Sequence, residues 1–243
     1  MTRWWESACD LLYPARCCGC GVPVSQTAGF CAPCTGRIRW ALPPVCVSCG
    51  GPFAAAADVE HRCETCLRHP RPFRQARACA LYETGVDDHP LKAALHRYKY
   101  GPEASLARPL AGILLARCPL LVHAYDRIVP VPLHRERLRW RGFNQALLIA
   151  RPLSKQAGTP IDAHSLRRLR PTRPQVELTG AERRDNVARA FAVTRPRAVR
   201  GRRILLVDDV YTTGSTVADC SRALLAAGAR VVDVLVLARA VTA

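Results

Sequence analysis

Two constellations in the chain have residue types and spacings that could do chemistry. The first is Asp208-Asp209, followed by Thr212-Thr213-Gly214-Ser215-Thr216. Adjacent carboxylates can accept hydrogen bonds from a vicinal diol and hold Mg²⁺ through water. A hydroxyl-rich turn that opens a helix, with a glycine allowing close approach, makes an anion cradle. Phosphate and diol together describe a ribose 5-phosphate.

The second constellation is cysteine. Cys17-x-x-Cys20 is followed after ten residues by Cys31-x-x-Cys34, and Cys46-x-x-Cys49 after thirteen by Cys63-x-x-Cys66. Two CxxC pairs across a loop close a four-thiolate tetrahedral site, so two structural zinc ions are expected. Gly21 and Gly50 follow the leading pairs, where a knuckle turns tightly and points N–H groups at sulfur. A shift of 29 residues carries Cys17 and Cys20 onto Cys46 and Cys49, which suggests a duplicated ribbon. Cys18 competes with Cys17, and Cys17 is preferred because it keeps the two-residue spacing. Cys9, Cys79, Cys118 and Cys220 sit among apolar residues and read as core. His61 and His69 flank the last pair and read as neighbours rather than ligands.

These residues need elements to hold them. "ACALYE" alternates like a strand, and "HPLKAALHRYKY" and "EASLARPLAGILLARC" have helical spacing. "DRIVPVP" is a short buried strand, and "FNQALLIARPLSKQAG" a helix stopped by Gly158. "RILLVDDV" is an unbroken apolar strand, followed by the helix "STVADCSRALLAAG" and the strand "ARVVDVLVLARA". Strands alternating with helices predict an α/β fold, a parallel sheet with helices on both faces. Such sheets bind ligands beyond the C-terminal ends of their strands, where Asp208 and Asp209 fall. The expected organisation is a helix and double zinc ribbon over residues 1–75 and the α/β domain over 76–243. The opening stretch reads as an amphipathic helix with Trp4, Trp5, Ala8, Leu11 and Leu12 on one side.

Several function classes drop out. A phosphorylated receiver also follows a strand with an acid pair, but needs several strand–helix units after it. Here 34 residues follow Asp209, room for one helix and one strand. No apolar run reaches eighteen residues, so no membrane insertion is expected. Glu6 and Asp10 interrupt the apolar start, which does not read as an export signal. With its zinc-type thiols, the chain is expected in the cytoplasm.

The formal charge is +17, and almost all of the basic residues are arginine. Eight thiolates on two zinc ions would lower it by four (−8 + 4), to about +13. The excess concentrates in residues 135–203, with 18 basic against 5 acidic side chains. That segment would attract and steer polyanions. Trp140 and Phe143, beside Arg139 and Arg141, are the candidates for stacking on bases.

"ILLVDDVYTTGST" resembles the phosphoribosyl-pyrophosphate (PRPP) motif of type I phosphoribosyltransferases. The cysteine pattern, "LHRYKYG", "IVPVPLHRERLRWRGFNQA" and "RPQVELTGAERRDNVARAF" extend the resemblance to the ComF/GntX family of competence-associated proteins with an N-terminal double zinc ribbon. It covers almost the whole chain in order. It implies a type I phosphoribosyltransferase-like sheet, with Asp208 and Asp209 on the ribose hydroxyls and Thr212, Thr213, Gly214, Ser215 and Thr216 on the 5-phosphate. The turn after "IVPVP" would meet pyrophosphate through Arg137 and Arg141, with Lys99 in reach. Arg173, Arg183 and Arg184 would belong to a mobile catalytic loop that neutralises charge. The implied activity is a Mg²⁺-dependent phosphoribosyltransferase of unnamed acceptor, associated with DNA uptake, competence or the use of incoming DNA. Regulators of this fold that bind PRPP without turnover make the alternative a non-catalytic adaptor for PRPP and single-stranded DNA. Competence or DNA-processing proteins would be partners of either.

Overall fold

The computed structural model describes residues 15–25, 29–53, 61–83, 89–101, 103–118, 124–170 and 190–241. The expected N-terminal helix with Trp4, Trp5, Ala8, Leu11 and Leu12, together with Cys9, Arg173, Arg183 and Arg184, lies outside them. The ribbon segment carries α1 (Ala32–Gly36), β1 (Arg39–Trp40) and α2 (Glu64–Arg68). Next come β2 (Ala76–Glu83), α3 (Pro90–Tyr100), α4 (Ala107–Arg117) and β3 (Arg127–Pro130). Helices α5 (Arg135–Arg141) and α6 (Gln145–Ala157) precede the short strands β4 (Leu166–Arg168) and β5 (Phe191–Val193). The chain closes with α7 (Pro196–Val199), β6 (Arg203–Tyr211), α8 (Ser215–Ala226) and β7 (Val231–Val241).

The main sheet has the order β1-β2-β7-β6-β3. Strands β2, β7, β6 and β3 are mutually parallel, and β1 adds an antiparallel edge with Trp40 opposite Ala80. The unbroken apolar run of β6 is explained by burial on both faces. Leu205 and Val207 pack with Leu110, Leu114, Ile149 and Leu153 of α4 and α6. Ile204 and Leu206 pack on the opposite face with Val217, Cys220 and Leu224 of α8. Strand β3 tolerates Pro130 because it lies at the sheet edge, where one side of its ladder needs no donor. Helices therefore cover both faces of a parallel sheet, as the alternation of periods predicts.

Four elements depart from the sequence reading. The stretch after "IVPVP" is not simply a turn: it becomes α5 from Arg135, seven residues with no buried side chain. Strands β4 and β5 form a separate antiparallel pair, too short for a period of two to register in the sequence. Strand β1 comes from the ribbon segment, so the ribbon extends the sheet. One buried acid, Asp233 of β7, carries no local pattern that marks it. Tyr125 donates to its Oδ2 at 2.6 Å, Gln75 Nε2 at 3.3 Å, and Arg74 Nε to Oδ1 at 3.1 Å. No helix among the described residues is long and apolar enough to cross a membrane.

Candidate functional site

The eight motif cysteines gather into two tetrads, Cys17/Cys20/Cys31/Cys34 and Cys46/Cys49/Cys63/Cys66, with the sulfurs of each set within 4.8 Å of one another. Cys17 Sγ accepts a hydrogen bond from Cys31 N at 3.3 Å, and Cys46 Sγ accepts from Cys63 N at 3.3 Å and Cys49 N at 3.5 Å. Backbone donors favour thiolate over thiol. Burial opposes ionisation of Cys17, but N–H groups of Cys20, Cys31 and Gly19 outweigh it and bring the thiol down to about 6. Cys46 reaches about 6 by the same balance, through Cys49, Cys63 and Ser48. Cys18 goes the other way: burial, reinforced by Cys17, pushes it up to about 11. It packs into the core and stands outside the tetrad. Gly50 has φ +66°, and a Cβ there would fall 2.5 Å from Ala76 O. The knuckle turn therefore needs glycine where the ribbon meets β2. Four thiolates with backbone donors fit zinc, and each tetrad would hold one ion.

The remaining sulfur and imidazole candidates lie elsewhere. His61 stacks on Phe53 with centroids 4.2 Å apart, and His69 caps α2. Cys79 and Cys220 are buried, and Cys118 is half-buried with its sulfur 4.0 Å from Cys79 Sγ.

Asp208 and Asp209 lie in β6 rather than after it, both buried. Asp209 N donates to Asp208 Oδ1 at 2.9 Å, which fixes that carboxylate against the strand end. Lys99 Nζ lies 3.2 Å from Asp209 Oδ1, while Asp209 Oδ2 is buried without a hydrogen-bond partner. An unpartnered buried carboxylate oxygen is an acceptor suited to a ligand hydroxyl or to water held on a cation. Burial, then the charge of Asp209, raises the Asp208 carboxyl to about 7, against the pull of Asp209 N–H, Lys99 and Arg168. Burial works against the Lys99 ammonium too, yet Asp209 and Asp208 raise its pKa overall.

Beyond Tyr211 the chain turns at Gly214, φ +78°, and starts α8 with no side-chain cap. A Cβ at Gly214 would collide with the Tyr211 side chain beneath it, so the close turn depends on glycine at this position. Thr213 Oγ1 and Ser215 Oγ share a hydrogen bond of 2.8 Å, facing the same turn. Asp208, Thr212, Gly214, Ser215 and Thr216 line one small hollow. Ser215 N donates to Thr213 Oγ1 at 3.4 Å, and a helix start ringed by hydroxyls favours an anion there.

The basic candidates divide. Arg141 is half-buried; burial lowers its pKa, while the charge of Asp209 opposes that shift. Arg137 lies one turn earlier on α5, near enough to Arg141 and Arg168 for its charge to lower the pKa of both. Lys99 is held on Asp209. Phe143 packs against Tyr98 of the core, with ring centroids 5.7 Å apart, while Trp140 is exposed. The sequence reading passed over Arg168, whose charge reaches Asp208 from β4, and Arg239 of β7. Arg239 donates to Cys49 O at 2.7 Å and lies 4.4 Å over the Tyr211 ring, joining the second ribbon to the end of β6. Neither arginine carries a local pattern that marks it.

Two cysteine tetrads on a parallel α/β sheet define a double-zinc-ribbon α/β protein, and a family model described as "Double zinc ribbon domain" matches residues 8–67. DNA utilization protein YhgH of Escherichia coli (strain K12) is 34% identical over 235 residues, 94% of this chain and 99% of that protein. Competence protein F of Haemophilus influenzae is 30% identical over 218 residues, 87% of this chain and 91% of the relative. Competence protein ComFC of Bacillus subtilis is 29% identical, covering 82% and 78%. The chain belongs to the family of DNA utilization protein YhgH and competence protein F. A solved glutamine PRPP amidotransferase from B. subtilis, complexed with ADP and GMP, aligns at 21% identity with a TM-score of 0.41, covering 58% of this chain and 30% of that one.

Proposed function

We propose that this protein binds PRPP with Mg²⁺ as a phosphoribosyltransferase-like member of its family, serving the uptake or use of DNA. The observation that carries this is the end of β6. Two buried carboxylates, one with an unpartnered oxygen, are followed by a left-handed glycine turn and a helix start ringed by hydroxyls. Diol acceptor and phosphate cradle are thus contiguous, in the order a ribose 5-phosphate needs. The names of the relatives, DNA utilization protein and competence protein, support the biological setting.

In this reading Asp208 and Asp209 accept from the ribose hydroxyls, and Thr212, Thr213, Gly214, Ser215 and Thr216 hold the 5-phosphate. Arg137 and Arg141 would meet the pyrophosphate. Arg173, Arg183 and Arg184, which lie outside the described residues, would neutralise its charge. Displacement at C1 passes through an oxocarbenium-like state, so these residues orient the ribose and neutralise charge rather than attack. Mg²⁺ on the pyrophosphate supplies the better leaving group. A PRPP-binding adaptor without turnover is the second reading, favoured by α5, whose arginine- and tryptophan-bearing surface faces solvent.

Pyrophosphate release from PRPP, measured across a panel of free bases with and without DNA, tests the proposal. Release with any acceptor establishes the transferase. Saturable PRPP binding without release establishes the adaptor, and the absence of both overturns the reading.

A further inference from the structure

We propose that Tyr100 and Trp140 form a stacking platform for the bases of a single-stranded nucleic acid, whose phosphates follow the outward arginines of α5. The two rings meet edge to face with centroids 6.3 Å apart, and His96 lies 4.8 Å from Tyr100. Tyr100 is 47% exposed and Trp140 66%, while Leu138 between the arginines is 41% exposed. Large rings left in water on the same patch are a surface for a partner rather than part of the core.

Helix α5 explains why the partner is a strand. It buries none of its residues, so it adds nothing to the core, and it carries Arg135, Arg137, Arg139 and Arg141 against one acid, Glu136. Residues four apart share a helix face. Arg137 and Arg141 are half-buried, and Arg141 feels the charges of Asp209 and Asp208. Arg135 and Arg139 are left exposed on the other face. The arrangement of open aromatic rings beside exposed guanidinium groups is how single strands are gripped without sequence readout. A lone base would want an enclosing slot, and two rings this exposed do not form one. Duplex bases are already stacked on each other and cannot use the rings.

The platform adjoins the acid pair. Tyr100 ends α3 directly after Lys99, whose ammonium lies 3.2 Å from Asp209 Oδ1, and Arg141 Cζ lies 5.7 Å from the Tyr100 ring centroid. Its placement next to a ribose-phosphate site rests on the function proposed above; the stacking does not.

Fluorescence anisotropy of the full zinc-loaded protein with labelled oligothymidylate, an abasic strand of equal length and a duplex is the test. Oligothymidylate should bind most tightly. Trp140→Ala or Tyr100→Ala should weaken it by roughly five- to a hundredfold, with Trp140→Phe close to wild type. Calorimetry with Mg-PRPP should give the same affinity for Trp140→Ala as for wild type. Asp208→Asn plus Asp209→Asn should abolish PRPP binding and keep the oligonucleotide. Equal binding of the abasic strand, wild-type affinity in Trp140→Ala, or displacement of the strand by free thymine would overturn the platform. Failure of wild type to bind PRPP while stacking persists overturns the ribose-phosphate reading alone.

Discussion

At the scale of single residues, Asp208 shows how a buried carboxylate is held at a cost to the fold. Its carboxyl ionises at about 7 in the folded chain against an ordinary 3.8, so folding takes up a proton across that window. Its effect on stability is therefore unfavourable as pH rises: small below pH 3.8, growing through the window, and complete above 7. Melting of the ligand-free protein should show Asp208→Asn gaining stability over wild type between pH 5 and 8, by an amount on the order of a few kcal/mol. Parallel pH profiles for the two proteins would contradict the account. The acids, hydroxyls and eight zinc-type cysteines were legible because short-range spacing dictates their chemistry. Cys17 against Cys18 was less so, since only the fold shows Cys31 N donating to one sulfur and the core closing around the other. Arg168 and Arg239 were illegible, because sequence separation hides what sheet topology brings together.

At the scale of elements, the ribbons are integral to the α/β body. Cys17, Cys34 and Ile38 belong to the core cluster under α3 and α4, while Cys46, Cys49 and Cys66 join the opposite one with Tyr211. A four-thiolate zinc contributes on the order of 10 kcal/mol to its fold. Metal analysis should return two zinc ions per chain, and chelation should release both and expose the amides of β1 and its partner residues in β2 to hydrogen exchange. One ion, or protected β1 amides after release, would refute this coupling. Arg239 makes a finer connection, from Cys49 O to the Tyr211 ring under Gly214. Arg239→Met should keep both zinc ions and weaken PRPP by about tenfold, the loss of a charge-assisted hydrogen bond. Unchanged affinity would separate ribbon from cradle. The strong helices and β6 could be read from period alone. Strand β1 could not, because two residues carry no period and their pairing partner lies about forty positions away.

Across the whole molecule, charge and topology act together. The parallel strands deliver β6 to the C-terminal rim of the sheet, while residues 135–203 concentrate 18 basic against 5 acidic side chains. That surplus predicts salt-sensitive binding of polyanions. If the two outward arginines of α5, Arg135 and Arg139, each meet a phosphate, the slope of log K against log salt for a single strand should be roughly −1.4. A slope near zero would make the arginines a solvated face. The overall class, a parallel α/β sheet behind a double ribbon, follows from alternating periods and cysteine spacing. The course of α5 does not, since a short helix with no buried face lacks the pattern by which helices are recognised.

The central claim is that the end of β6 grips a ribose phosphate. Isothermal titration of the zinc-loaded protein with PRPP and Mg²⁺ tests it most directly, comparing wild type with Asp208→Asn plus Asp209→Asn. Saturable binding at one site per chain, lost in the double variant while its zinc content and melting cooperativity persist, is the expected result. Equal binding by the two proteins, or none by wild type, would contradict it.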